Sequence, residues 1–273
     1  LEGTKAVLNE NLRVQEVYLP NARTLQRFEV LEAILEADVL INVAKLKTHG
    51  MMTYTGAVKN LFGAVPGLTK AGHHFKLQDK THFADHMVDI ADYLRPDFSI
   101  IDGIWGMEGN GPSGGIVADT KLLLGSSSAF ALDWVAADLI GIPIKQNPVL
   151  IQAQKRGLIG DYQVFTDVDP KSITPYRLPD TADVTFLPGW LPEGVKKWLL
   201  RQTKYTPIFI HPRCRRCDKC IEICPAQIIT KDPEGYPIFD EEQCISCFCC
   251  HEVCPFQAIE IKRPWIAGLL RRK

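Results

Sequence analysis

Cys214-Arg-Arg-Cys217-Asp-Lys-Cys220-Ile-Glu-Ile-Cys224-Pro225 returns thirty residues later as Cys244-Ile-Ser-Cys247-Phe-Cys-Cys250-His-Glu-Val-Cys254-Pro255. The correspondence extends beyond the cysteines: Glu222 aligns with Glu252, Gln227 with Gln257 and Ile229 with Ile259. Repetition at a fixed period marks the duplication of one small supersecondary unit. All nine cysteines lie between Cys214 and Cys254, and the first 213 residues contain none. The chain therefore reads as two parts, one over residues 1–206 and a sulfur-rich one over residues 207–273.

Each run has the form C-x2-C-x2-C-x3-C-P, which is the spacing of cubane cluster ligands. Three closely spaced cysteines wrap one cluster, and the fourth points away to the other. The expected ligand sets are Cys214, Cys217, Cys220 and Cys254 for one 4Fe–4S cluster, and Cys244, Cys247, Cys250 and Cys224 for a second. Pro225 and Pro255 end the local turn after each crossing cysteine. Paired zinc ribbons are the competing reading, but zinc has no use for a third cysteine at this spacing. Cys249 reads as a buried apolar filler or a spare ligand. The stretch from His211 to Cys254 resembles a bacterial-type two-cluster ferredoxin domain, which implies electron transfer.

The rest of the composition narrows the class. The 273 residues are 46% hydrophobic and 23% charged, with 31 basic against 32 acidic side chains. Near-neutral charge argues against a dedicated nucleic-acid binder, and the apolar fraction argues against disorder. The longest apolar candidate for a membrane span, Ala129 to Ile144, is interrupted by Asp133 and Asp138. No charged-then-apolar leader follows Leu1, and an odd cysteine count suits a disulfide scaffold poorly. The tail from Trp265 to Lys273 is short, apolar and basic, and no stable membrane binding is expected of it.

The first part alternates helix and strand signals, which predicts an α/β domain with a largely parallel sheet. Thr24 to Ala37 carries Leu25, Phe28, Leu31, Ile34 and Leu35 at helical spacing. Asp38 to Ala44 reads as a buried strand, Gly56 to Phe62 as a short helix, and His82 to Leu94 as an amphipathic helix stopped before Pro96. Phe98 to Ile101 reads as a strand leading into the glycine-rich loop Gly106 to Gly115. Lys121 to Leu124 reads as a strand, and Ala129 to Ile140 as a buried helix. Asn147 is the expected N-cap of a helix begun by Pro148, and Leu191 to Gln202 is a further expected helix. The second part is expected to be a small α+β ferredoxin-like domain.

Ligands of α/β sheets sit at the carboxyl ends of strands, and three segments fall there. Lys45, Lys47 and His49 follow the first strand, Lys59 and Asn60 lie in the next helix, and Asp102, Glu108 and Asn110 follow the strand from Phe98. We assign Lys47, His49, Asp102 and Glu108 as candidate catalytic residues, and Lys45, Lys59, Asn60 and Asn110 as candidate binders of an anionic ligand. The bland alternatives are solvated lysines, a turn histidine and glycines that only serve tight turns. His82 and His86 have chelate spacing, but HFADH lacks the glutamate of a zinc protease. No nucleophile elbow, Walker run or dinucleotide fingerprint is present.

The order KLKTHG (45–50), TGAVKNLFG (55–63), His73-His74 and DGIWGMEGNGP (102–112) resembles domain-of-unknown-function family 362 of anaerobic bacteria and archaea. The resemblance covers about residues 25 to 160. It implies a cytoplasmic iron–sulfur protein of anaerobic metabolism and supplies no substrate. The leading expectation is a redox protein that passes single electrons through two clusters to an anionic substrate or cofactor site. Its rival is a non-enzymatic carrier whose large domain docks a partner oxidoreductase. A third class is a cluster assembly or sensor protein. Arg213, Arg215, Arg216 and Lys219 crowd the first repeat. That predicts the higher potential for its cluster and an acidic ferredoxin or flavodoxin as partner.

Overall fold

The computed structural model describes residues 3–179 and 205–262. Its central sheet has the order β4-β3-β5-β6, with β3 at Ile41–His49, β4 at Thr53–Thr55, β5 at Phe98–Glu108 and β6 at Ile116–Ser126. The sheet is mixed, not largely parallel. β3 pairs with β5 in parallel, while β3–β4 and β5–β6 are antiparallel. The cause is loop length. Only residues 50–52 join β3 to β4 and 109–115 join β5 to β6, whereas a parallel crossover takes a dozen residues or more. The expected loop Gly106 to Gly115 starts later, because β5 runs on to Glu108.

The β3-to-β5 crossover holds α2 (Ala57–Asn60), α3 (Gly67–Lys76) and α4 (Lys80–Leu94). Asp79 caps α4 by accepting from the amides of Thr81 and His82. After β6 come α5 (Ala129–Leu139) and α6 (Pro148–Lys155), the latter capped by Asn147 accepting from Leu150 N, as its sequence predicts. Phe83, Met87, Leu46, Ile101 and Leu150 are among the fully buried core side chains. Arg156 ties the helices together through Asp85 and Asp89.

The helix expected over Thr24 to Ala37 is instead β2 (Arg27–Leu31) followed by the single turn α1 (Glu32–Leu35). β2 pairs antiparallel with β1 (Val14–Tyr18). Phe28 and Val30 are buried at strand spacing, and this cross-strand partner outweighs the helical reading of the same apolar residues.

The C-terminal unit is two antiparallel ribbons. β7 (Thr206–Phe209) pairs with β10 (Ile259–Lys262), and β8 (Ile229–Lys231) pairs with β9 (Pro237–Phe239). Two short helices, α7 (Lys219–Glu222) and α8 (Cys249–Val253), lie between them. Ile229 and Ile259, equivalent in the repeat, both pack into its core. The expected helix Leu191 to Gln202 and the tail from Trp265 lie outside the described residues.

Candidate functional site

The duplication is visible in the backbone. Arg216, Asp218 and Gln227 have positive φ, and so do Ser246, Phe248 and Gln257, their equivalents thirty residues on. Left-handed non-glycine residues cost energy, so the same three in each repeat indicate turns fixed by a shared geometric demand. These turns aim the cysteines. One cavity is lined by Cys214, Cys217, Cys220 and Cys254, and a second by Cys224, Cys244, Cys247 and Cys250. The amide of Arg216 donates to Cys214 Sγ, and that of Ala258 to Cys254 Sγ, each at 3.4 Å.

These donor sets fit cubane clusters. Among the described residues, no three His, Cys, Asp or Glu side chains gather for a single metal ion. The cysteines instead surround two volumes. Burial pushes the Cys220 thiol up to about 11, so a thiolate there calls for an adjacent positive centre, which cluster iron supplies. Cys249 is buried beside Cys247 and Cys250 and lines neither cavity.

A second site lies where α8 meets the end of β3. Alternation along β3 turns Lys45 and Lys47 outward and buries Leu46 and Thr48. The antiparallel turn that follows places Thr55 opposite Lys47 and starts α2, which carries Lys59. Asp133, from α5, accepts from Ala57 N at 2.6 Å, Val58 N at 2.9 Å and Tyr54 Oη at 3.1 Å. These donors anchor α2, although burial drives the Asp133 carboxyl up to about 7. Lys45, Lys47, Thr55, Gly56, Lys59, Asn60, Pro112, Ser113 and Glu252 line a cleft of about 280 Å³.

His49 forms the buried wall behind Glu252. Its Nδ1 accepts from Met51 N at 3.0 Å and Met52 N at 3.2 Å. The single proton of the neutral ring is therefore on Nε2, which lies 3.0 Å from Glu252 Oε1. Burial and then the charge of Lys59 hold the His49 pKa down to about 4. Burial alone would raise the Glu252 carboxyl. The contact with His49, helped by Lys59, outweighs it and holds Glu252 well below the ordinary carboxylate value. The Lys47 pKa is also lowered, first by burial and then by Lys59.

The cleft thus gathers Lys45, Lys47, Lys59 and Asn60 of the expected residues. The Asn60 amide is already engaged, donating to Asn42 Oδ1 and Val43 O. Asp102 lies beside the cleft lining and pairs with Lys45 at 2.7 Å, which lowers its pKa. Glu108 points elsewhere and accepts from Arg177 N at 2.9 Å. Asn110 is also outside the lining, although Pro112 and Ser113 of the same loop are in it. His82 and His86 do not form a pair. His86 Nε2 meets His73 Nδ1 at 2.9 Å in the core, while His82 is exposed. Glu252 escaped the sequence reading. Its only signal was its match to Glu222 in the repeat.

Comparison with known proteins supports both parts. The family described as "Domain of unknown function (DUF362)" matches residues 1–138. The chain belongs to this family. A 4Fe-4S dicluster domain matches residues 213–258, so the C-terminal unit of this DUF362 protein is a 4Fe–4S ferredoxin-type domain. The thylakoid-associated protein sll1697 of Synechocystis sp. is 37% identical over 142 residues, which are 52% of this chain and 44% of that protein. The chain thus spans less than half the length of this relative. Among the described residues, no helix is long and apolar enough to cross a membrane.

Proposed function

We propose that this DUF362 protein is an iron–sulfur electron-transfer protein that delivers single electrons to a small anion held by Lys45, Lys47 and Lys59. The observation that carries the reading is the position of Glu252. It lies on α8 between Cys250 and Cys254 and lines the same cleft as the three lysines. Ligand and electron source then meet at one short helix. When bound, the clusters of the crossed cysteine sets supply reducing equivalents one at a time.

The chain's own residues do the rest. Lys47 and Lys59 attract and seat the anion, and their mutual repulsion is relieved when it binds. Asp102 fixes the direction of Lys45. His49, held neutral with its proton on Nε2, orients Glu252. Lys47 is the side chain best placed to hold a proton at the bound anion, because its burial favours the neutral amine after transfer. Nine thiols without a disulfide suit a reducing cytoplasm.

Two measurements test this. Anaerobically prepared protein is expected to contain about eight iron and about eight acid-labile sulfide per chain. Cys224→Ala is expected to damage the cluster of the second repeat and leave the first. Stoichiometric zinc without broad visible absorption would overturn the cluster assignment. Separately, inorganic phosphate or succinate is expected to raise the thermal midpoint of the cluster-loaded protein, and Lys47→Ala/Lys59→Ala to abolish the shift. No shift with either anion in the wild type would favour a carrier without a substrate.

A further inference from the structure

The two repeats share backbone geometry and cavity chemistry, but their surroundings differ. In the second repeat, Phe248, Cys249, Cys250 and His251 are all buried. Helix α8 is seated on the α/β unit through His49 and Glu252. Ser113 Oγ also donates to Glu252 O at 3.3 Å, and His251 lies against Gly114. The equivalent positions of the first repeat are Asp218, Lys219, Cys220 and Ile221, and none of them is buried. Cys217 is exposed where Cys247 is half-buried.

The rim of this open face is cationic. Arg215, Arg216 and Lys219 are exposed and line the first cavity. Nearby acids are partly spent: Asp218 pairs with Lys231 at 2.6 Å, and Glu260 with Arg213 at 2.8 Å. Glu222, Asp232 and Glu234 remain as opposing charges, Asp232 accepting, among the described residues, only the backbone amides of Glu234 and Tyr236. Arg216 is held in place, its guanidinium 4.5 Å over the Tyr236 ring and donating to Glu234 O at 2.9 Å. Among the described residues, Arg215 and Lys219 have no carboxylate within ion-pair distance. Unpaired cations beside an exposed cysteine ligand are what a complementary acidic surface would neutralise.

We propose that the α7 face is the docking surface for an acidic redox protein that donates one electron at a time. The partner would cover the first cavity as the α/β unit covers α8. The proposal rests on the reading that the two cavities hold clusters. In the transfer, the partner's reduced centre loses one electron and the cluster at Cys214, Cys217, Cys220 and Cys254 gains it. No bond breaks and no proton moves.

The test uses cluster-loaded protein under anaerobic conditions and an acidic flavodoxin as the probe. Binding affinity is measured against ionic strength, alongside the rate of reduction by the flavodoxin hydroquinone and, separately, by dithionite. Arg215→Glu/Lys219→Glu is expected to weaken binding at low salt by about tenfold or more. It should flatten the salt dependence and slow reduction by the flavodoxin more than reduction by the small anion dithionite. Arg215→Ala/Lys219→Ala serves if the reversal disturbs cluster loading, with the same direction and a smaller loss. Lys155→Glu/Lys171→Glu makes the same change in net charge on the α/β unit and should leave binding unaltered. Equal losses in the two Glu pairs, or unchanged affinity and salt slope with full iron and sulfide, would overturn the proposal. Iron and sulfide missing from the wild type would instead overturn the cluster reading itself.

Discussion

The imidazole of His74 stacks on Phe83 with ring centroids 4.2 Å apart, and its Nδ1 is buried without a hydrogen-bond partner among the described residues. Burial holds its pKa down to about 3. The charge of Glu252 pulls the other way, and Lys59, His49 and His73 add to the lowering. Between that value and the ordinary 6.5, the unfolded chain takes up a proton that the folded protein refuses. The His74 contribution to stability is therefore complete above about pH 6.5 and is lost as the pH drops toward 3. His74→Leu removes both the unpaired nitrogen and this proton uptake. We expect it to be close to neutral or stabilising at pH 7.5, and to gain a further 1 kcal/mol or so by about pH 5.5. Thermal unfolding of the cluster-loaded protein, followed by circular dichroism at both pH values, checks this. Identical pH sensitivity in the two proteins would remove His74 from the acid response.

Helix α2 has four residues, too few to hold by its own hydrogen bonds. It stands because Asp133 receives its first two amides and because Gly56 leaves room for the approach. A Cβ at Gly56 would collide with Tyr54 Oη and Asp133 Oδ1. Gly56→Ala is therefore expected to cost about 1–3 kcal/mol through overpacking. Asp133→Asn presents an amide donor to donors and should cost a similar amount. Because α2 carries Lys59, both variants should also weaken phosphate binding, which calorimetry would measure; an undiminished affinity in both would show that Lys59 is positioned by other contacts. The elements that the sequence revealed share a local cause. α4 is bounded by Pro96, and α6 by the Asn147–Pro148 pair, so their limits are written beside them. The hairpins were illegible for the opposite reason. Whether residues 27–31 form strand or helix depends on β1 as a partner, and the direction of β6 depends on a loop whose glycines suit many turns.

Across the whole molecule, the cysteines were legible because cluster chemistry fixes their spacing. Lys45 and Lys47 were expected after a strand ending at Ala44, but β3 runs on to His49 and carries both on one face, because side chains alternate along a strand. Glu252 was not legible, since its meaning comes from His49, a residue in the other structural unit. That contact joins the two units at the cleft, which gives it a testable signature. Glu252→Ala should leave iron and sulfide content unchanged, because the cysteine cavities do not use the carboxylate. It should release His49, whose Nδ1 holds the amides of Met51 and Met52, and so speed hydrogen exchange of those amides. Glu252→Gln keeps an acceptor for His49 Nε2 and should retain most of their protection. The two variants separate geometry from charge: with the turn intact in Glu252→Gln, any change in phosphate affinity reports the missing negative charge between Lys47 and Lys59. Affinity should then rise, since one repulsive neighbour of the anion is gone. Equal exchange at Met51 and Met52 in all three proteins would mean that α8 is seated on the α/β unit without the His49–Glu252 contact.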